Sequence, residues 1–523
     1  MQDFDYIVVG AGTAGCVLAA RLSQDAAVRV LLVEAGAARR SRSMTVPSSW
    51  PLNLGSVADW AGETVAQAEA GPLAYPRGKA LGGSSAINAM AHMRGHQAVY
   101  DAWATTGATG WSYADLLPAF RRSEQTAGRD PALRGTGGPV RVAPVAEADR
   151  HPIARSFTEA LQASGCPAAD DLSGAVQEGV GWGDLAIWRG HRISAAGAYL
   201  HPAWSRPNLT VQTGCLVTRL LVRNGRCTGV CYQRSAAAQA LAAREVIVCA
   251  GAIGSPQLLM LSGIGPAAHL AGHGIEVVAD LPGVGRNLQD HPVVLASYTT
   301  PKALPASRYN HGEAYAAVRS GLAGAWPDLH LFPILLPVAP PGFPPPAAGY
   351  VLAAGVMAPG SRGSVTLASA DPRQGPLIDP GFLTDSRDTT RLAAGLELIR
   401  QAAAQPPLRA HGQSEVWPGP QVTTRAELRR YIRRTVASYY HPAGTCQMGT
   451  GADAVTDPQL RLRGIAGLRV ADASVMPLIP NAHPAATVYA IAERAAELIT
   501  SPPSEQLSSA GSPYSRKEHP GHA

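Results

Sequence analysis

The feature that most constrains the fold is a glycine-rich turn near the N-terminus, set between two apolar runs. Residues 5–9 and 28–33 are mostly apolar, as buried strands are, and residues 13–24 place apolar side chains at helical spacing. Glycines at GxGxxG spacing join the first run to the helix: Gly10, Gly12 and Gly15. Parallel strands joined by a helix take a right-handed crossover, so the sequence predicts an α/β fold.

The same turn predicts a binding site for a pyrophosphate. Gly10 permits the tight turn, Gly12 lets a phosphate approach the backbone, and Gly15 lets the helix and strand pack closely. The helix N-terminus offers free N–H donors and a positive partial charge. Glu34 ends the second strand, where a carboxylate accepts hydrogen bonds from ribose hydroxyls. These residues predict a cofactor that contains ADP, with FAD and NAD as alternatives.

Later segments extend this sheet and leave room for a second domain. Residues 244–250 and 468–472 predict further strands. Ser255 followed by Pro256 predicts the start of a helix, and residues 484–499 predict another. The predicted division is a first domain of residues 1–150, 205–297 and 437–500, a second domain of residues 151–204 and 298–436, and a disordered tail of residues 501–523.

Composition narrows the class of protein. The 523-residue chain has a formal net charge of +6, but its basic residues are scattered and are not interleaved with stacking aromatic residues. We therefore expect no nucleic-acid partner. Seven cysteines without a CxxC pair are typical of a reducing compartment and argue against a disulfide framework or a metal site. Since the sequence has no signal-peptide pattern and no membrane-spanning apolar run, we expect a cytoplasmic protein.

Two histidines near the C-terminus, His441 and His483, indicate acid–base chemistry. Each is followed by Pro-Ala, and glycine- and serine-rich motifs at residues 76–88 and 251–265 precede them. Adjacent glycines followed by serines form nests of donors over a phosphate or a ring. Together these features predict a flavin held opposite a general base, an arrangement suited to oxidising an alcohol.

The ordered motifs resemble those of the glucose-methanol-choline (GMC) oxidoreductase family. Residues 76–88 match its first signature over most of their length, and residues 251–265 match the second in full. Residues 282–291, residues 361–364 and both histidine segments extend the resemblance to residues 4–500. The resemblance implies FAD, bound between a Rossmann-like FAD-binding domain with a parallel sheet and a substrate-binding α+β domain with a largely antiparallel sheet.

The resemblance also implies roles for individual residues. Val217 would contact the adenine through its backbone, Asp472 would meet the ribityl-pyrophosphate region, and the helix from Pro484 would point its N-terminus at the flavin pyrimidine. Some relatives attach FAD through a histidine at the position of Ile87, so we expect non-covalent FAD here. The cofactor-binding residues implied are Gly10, Gly12, Thr13, Ala14, Gly15, Glu34, Ala35, Arg77, Gly82, Gly83, Ser84, Asn88, Ala89, Val217, Ala250, Gly251, Asp472, Ala473, His483, Pro484 and Ala485. Of these, Gly82, Gly83, Ser84 and Asn88 would line the pyrophosphate and isoalloxazine side.

The mechanism implied by the resemblance is oxidation of a primary alcohol to an aldehyde. His441 would take the hydroxyl proton while hydride passes to flavin N5, and His483 would hydrogen-bond the same oxygen. O₂ or another acceptor would reoxidise the flavin. Because no carboxylate is assignable to a quaternary ammonium site, choline is not favoured, and an aromatic or small aliphatic alcohol is expected.

Two other functions compete with this one. Family members also include hydroxynitrile lyases, which would use His441 as acid and base with FAD as a scaffold. An NAD(P)-dependent dehydrogenase fits the first glycine motif but not the later ones.

Several residues keep two interpretations. His92 is either part of the substrate pocket or structural, while His291 is predicted to be a structural part of its turn. The Pro-rich residues 333–346 predict an irregular loop over the second domain. Aromatic residues that serve either as pocket walls or in core packing are Trp50, Trp60, Tyr439 and Tyr440.

Overall fold

The computed structural model describes residues 3–38, 41–234, 236–322 and 324–501, and within them most strands belong to two seven-stranded sheets. The first sheet has a parallel centre built from the predicted strands. Its strands, in spatial order, are Leu209–Thr213, Val30–Glu34, Asp3–Val9, Ala237–Val248, Arg226–Gln233 and Leu216–Arg223, and Leu468–Val470 also pairs with Ala237–Val248. The α/β prediction is confirmed.

Register brings the ends of the parallel strands together. Val9 lies opposite both Val33 and Val248, and Val248 also pairs with Val470. Because all four strands end at this level, their carboxyl ends form one edge, the place where open α/β sheets bind ligands.

The second sheet is antiparallel throughout. In spatial order its strands are Ser414–Trp417, Pro292–Thr299, Gly349–Val356, Leu329–Ile334, Ala314–Val318 and Gly179–Trp182, and Ala437–Ser438 also pairs with Pro292–Thr299. The strand Gly349–Val356 is buried along its whole length, since helix Ser386–Ala403 covers it. The predicted antiparallel sheet is therefore confirmed.

Helices cover both sheets. Those of eight or more residues among the described residues are Thr13–Leu22, Gln97–Thr105, Tyr113–Ser123, Pro152–Ala163, Gly251–Leu261, Ser386–Ala403, Arg425–Thr435 and Ala485–Thr500. The last of these has Pro484 as its N-cap, close to the predicted start.

The helix predicted to begin at Ser255 begins four residues earlier, at Gly251, so this prediction is wrong. Pro256 lies inside the helix, where it has no N–H to bond the carbonyl of Ala252. The hydroxyl of Thr445 donates to that carbonyl instead, at 2.6 Å. A partner distant in sequence thus allows a proline that the local pattern places at a helix start.

Packing differs from the predicted domain boundaries at two places. Residues 292–297, assigned to the first domain, belong to a strand of the antiparallel sheet. Residues 186–203, assigned to the second, contribute Ala196, Tyr199 and Leu200 to the core beneath the parallel sheet. Each segment therefore packs with the sheet of the other predicted domain. The local sequence of these segments does not indicate this packing.

Further expectations concern the tail and the membrane. Apart from Ser501, the tail predicted over residues 501–523 lies outside the described residues. Among the helices that the structure describes, none combines the length and apolar character that a membrane span requires.

Candidate active site

A cavity of about 1100 Å³ lies at the carboxyl edge of the parallel sheet and extends to the antiparallel sheet. His441 and His483 line it, as do all the predicted cofactor residues except Gly15 and Gly82. The structure therefore places residues from five distant segments around one space.

The glycine turn fits a pyrophosphate. A Cβ on Gly10, whose φ is +97°, would lie 2.7 Å from the carbonyl oxygen of Cys249, and one on Gly15 would lie 1.8 Å from the carbonyl oxygen of Gly10. These two glycines are required by backbone packing. At Gly12 the nearest atom to such a Cβ is 3.9 Å away, so its missing side chain leaves space on the cavity side at the start of a helix.

The second glycine motif packs directly on the first. Gly83 has φ +51°, and a Cβ there would lie 2.6 Å from Cα of Gly12. Gly82 was predicted to line the cofactor and does not line the cavity, which corrects that assignment. Its left-handed backbone caps the short helix Gly83–Ala86, and it packs against Ala86 and Ser194.

Glu34 lies buried at the end of its strand. Its Oε2 accepts the N–H of Ala11 at 2.8 Å, and its Oε1 accepts the N–H of Gly36 at 2.7 Å. Burial raises the pKa of this carboxyl to about 7, against the lowering effect of the two N–H donors and of Lys79. Each oxygen keeps a lone pair, which suits a ribose hydroxyl.

Asp472 and Asn88 occupy other parts of the wall. The Oδ2 of Asp472 accepts the N–H of Gly251 at 2.8 Å and the hydroxyl of Ser255 at 2.6 Å. The Oδ1 of Asn88 accepts from Met90 N and from Arg192 Nη1, which leaves its amide nitrogen as a donor on the cavity side. The donors, the open space at Gly12 and the carboxylate of Glu34 together fit FAD.

The two predicted catalytic histidines lie side by side. Their ring centroids are 5.1 Å apart and their planes make an angle of 74°. The ring of Tyr439 stacks on His441 at 4.5 Å. Burial, followed by the neighbouring His483 and His291, lowers the pKa of His441 well below its usual value, so the imidazole is neutral near pH 7 and able to accept a proton.

Asp290 and His291 both contact His441, and neither contact was predicted from the sequence. The Oδ1 of Asp290 accepts the backbone N–H of His441 at 2.9 Å and that of His291 at 2.7 Å. The Nδ1 of His291 lies 2.9 Å from the Nδ1 of His441. The motif at residues 282–291 contains both residues, but spacing alone does not bring them to a base 150 positions away.

His330 is a further histidine that the sequence did not indicate. Its ring lies 5.9 Å from that of His483, and burial lowers its pKa to about 4. It lies within a strand and belongs to no motif, so no local signal distinguished it from a core residue.

The wall that faces the histidines is aromatic and aliphatic. Phe332 stacks on Tyr439 with centroids 4.6 Å apart, and Tyr315 meets His483 edge to face at 5.1 Å. Part of the Pro-rich loop contributes Leu336 and Val338. The loop therefore forms part of the cavity wall.

The four aromatic residues with two interpretations, Trp50, Trp60, Tyr439 and Tyr440, all line the cavity. His92 does not, which removes its substrate-pocket interpretation. Its Nε2 lies 3.4 Å from Glu124, within a buried cluster of charged side chains. In the part of the chain that the structure describes, no group of three or more His, Cys, Asp or Glu residues is arranged to hold a metal ion.

Family models described as GMC oxidoreductase match residues 4–293 and residues 359–492. The chain belongs to the GMC oxidoreductase family. It is 38% identical to the oxygen-dependent choline dehydrogenase of Photobacterium profundum over 95% of this chain and 93% of that protein. It is 39% identical to the human mitochondrial choline dehydrogenase over 96% and 90% of the two chains.

A solved structure of a similar protein supports the same family assignment. The crystal structure of pyridoxine 4-oxidase from Mesorbium loti superposes with a TM-score of 0.91 at 36% identity, over 94% of this chain and 98% of that one. The chain is accordingly an FAD-dependent oxidoreductase that acts on alcohols. Hydroxynitrile lyase, the alternative function, finds no support among these relatives.

Proposed function

We propose that this chain oxidises an uncharged aromatic primary alcohol to its aldehyde, with His441 as the general base. The neutral His441 lies in the cavity wall, and its Nδ1 is turned to His291, so Nε2 is the nitrogen left for the substrate hydroxyl. Bound FAD supplies the acceptor for the hydride from the alcohol carbon. His483, at 5.1 Å from His441, orients the same oxygen.

The proposed substrate class follows from the side chains that form the cavity wall opposite the histidines. Phe332, Tyr315, Val293 and Leu295 of the antiparallel sheet line it. Among the described residues, the carboxylates that line the cavity are Glu34, Glu63 and Asp472, and none belongs to that sheet. An aromatic ring would be buried there without leaving a charge unpaired, whereas a quaternary ammonium would have no carboxylate opposite it.

The relatives support the general chemistry and divide on the substrate. The solved relative is named pyridoxine 4-oxidase, which supports a ring-bearing alcohol, whereas two similar sequences are named choline dehydrogenases. Aromatic rings bind cations as well as neutral rings, so choline belongs in the test.

The cofactor is held without a covalent bond in this proposal. Ile87 lines the cavity and offers no nucleophile to the flavin. Gly12, Glu34 and Asn88 supply space, an acceptor and a donor for the two halves of the cofactor.

We also propose a cytoplasmic location and O₂ as electron acceptor. The seven cysteines form no CxxC pair, and this supports a reducing compartment. Support for O₂ comes from two of the relatives, the oxygen-dependent choline dehydrogenase of Photobacterium profundum and the pyridoxine 4-oxidase.

The test is an anaerobic titration of the holoenzyme with benzyl alcohol, 4-pyridinemethanol, pyridoxine and choline, followed by admission of air. We expect an aromatic alcohol to bleach the flavin band at the lowest concentration, and colour to return rapidly in air. A much greater efficiency with choline would contradict the substrate assignment, and slow return of colour would contradict O₂ as acceptor.

A further inference from the structure

The ring of His291 touches the proposed base and takes no part in the chemistry described so far. Its Nδ1 lies 2.9 Å from Nδ1 of His441, and the two rings are perpendicular with centroids 5.2 Å apart. We propose that His291 is a positioning residue that accepts the Nδ1 proton of His441 and so keeps Nε2 of His441 free to take the substrate proton. This inference rests on the proposed role of His441 as base.

The backbone fixes the geometry of the pair. One carboxylate oxygen, Oδ1 of Asp290, accepts the N–H groups of both His291 and His441. The other oxygen accepts the hydroxyls of Tyr75, at 2.6 Å, and Ser438. Because these four donors surround a buried carboxylate, the two histidines hold a fixed separation before substrate arrives.

The contact between two Nδ1 atoms requires one shared proton. If His291 donated it, His441 would carry its own proton on Nε2 and could not accept another from the substrate. If His441 donates it, Nε2 of His441 is free. After the substrate proton reaches Nε2, both nitrogens of His441 carry protons, and its Nδ1–H must donate.

The tautomer of His441 with its proton on Nδ1 therefore suits the state before proton transfer and the state after it. The hydroxyl proton moves to Nε2 of His441 and the Nδ1 proton stays between the rings, while FAD, when bound, would accept the hydride from the alcohol carbon. His291 neither gains nor loses a proton. Its hydrogen bond strengthens when His441 becomes charged, because hydrogen bonds to ions are about twice as strong as neutral ones.

The surroundings keep His291 neutral, so it remains an acceptor. Burial, and then the neighbouring His330 and His483, lower its pKa well below the usual value. Its Nε2 is buried without a hydrogen-bond partner among the described residues in either tautomer, so it does not select between them. The other titratable or charged groups that face the pair are Arg77, Tyr75, Asp290 and Tyr439.

The matched variants are His291→Leu, which removes the acceptor, and His291→Asn, whose amide oxygen can replace it. Flavin reduction is measured by anaerobic stopped flow from pH 5 to 10, with the panel alcohol that reduces the wild type fastest. For His291→Leu we expect the limiting rate to fall on the order of 10- to 100-fold, the value of a hydrogen bond to a charged group.

Further readouts separate positioning from folding. In His291→Leu the imidazolium of His441 loses its acceptor, so the midpoint of the rising limb should move to lower pH, while FAD content and the apparent alcohol dissociation constant stay at wild-type values. His291→Asn should recover most of the rate. The inference is overturned if His291→Leu keeps the wild-type rate and midpoint, or if both variants lose the same rate with an unmoved midpoint.

His441→Ala, measured alongside, separates this inference from the proposed function. Loss of reduction in His441→Ala with a normal His291→Leu rejects the role of His291 alone. Normal reduction in His441→Ala rejects the base itself, and with it the role of His291.

Discussion

At the scale of single residues, burial sets which groups are charged. Burial raises the pKa of the Glu34 carboxyl from its ordinary 4.5 to about 7 and lowers that of the His441 imidazole. Both residues are therefore largely neutral in the absence of ligand at slightly acid pH. A neutral imidazole is what a base requires, whereas the partly protonated carboxyl of Glu34 gives the apoprotein a pH dependence.

The raised pKa of Glu34 makes the apoprotein less stable as the pH rises. The folded apoprotein binds this proton more tightly than the unfolded chain, so the stabilisation is complete below pH 4.5 and is lost as the pH rises through about 7. We expect the free energy of unfolding to fall across this window by about 3 kcal/mol more than in Glu34→Gln.

Urea denaturation of apoprotein between pH 4 and 8 measures this difference. The apoprotein is prepared by acid precipitation. This treatment should release all the flavin, because Ile87 provides no covalent attachment. Yellow colour retained on the precipitated protein would contradict non-covalent binding. Parallel stability curves for wild type and Glu34→Gln would contradict the raised pKa.

At the scale of elements, two glycine turns must touch for the cavity to form. Gly83 approaches Gly12 closely at a φ of +51°, a backbone region where other residues are strained. Gly83→Ala should therefore separate the turns and lower the ratio of flavin to protein in the purified enzyme, measured by absorbance.

A matched control is available in Gly137→Ala. No atom lies within 4 Å of the position of its Cβ, and its φ is not in the left-handed range, so this variant should keep a wild-type flavin content. Full flavin in Gly83→Ala would show that contact between the two turns is not needed for binding.

Elements also show where sequence patterns suffice. The strand at residues 5–9, its glycine turn and Glu34 were predicted because phosphate and ribose binding demand those residues at local spacing. The start of the helix at Gly251 was not, because Pro256 is accommodated by Thr445, about 190 positions away. Local sequence patterns predict where a helix begins unless a residue distant in sequence stabilises a different start.

At the scale of the whole molecule, a buried network of charges joins segments far apart in sequence. Glu124 binds Arg94 and Arg134, and Arg134 also binds Asp171 and Asp184. Burial alone would raise the pKa of Glu124, but His92 and the two guanidinium groups lower it strongly. Removing one partner from such a network leaves a buried charge unpaired.

This network is one of several features of the whole molecule that could not be predicted from the sequence. The scattered distribution of basic residues along the sequence gives no sign that Arg134 is fully buried, as it is in the structure. The contact of His291 with His441, and the inclusion of residues 186–203 in the first core, likewise depend on the complete fold. Motifs predicted the cofactor site and the two histidines of the cavity, while the residues that support those histidines required the structure.

The most direct test of the central claim is single-turnover flavin reduction by an alcohol in wild type and His441→Ala. With FAD bound equally in both, we predict a loss on the order of 10²- to 10⁴-fold in the limiting rate for the variant, the usual contribution of a general base. Reduction of His441→Ala at the wild-type rate would contradict the account.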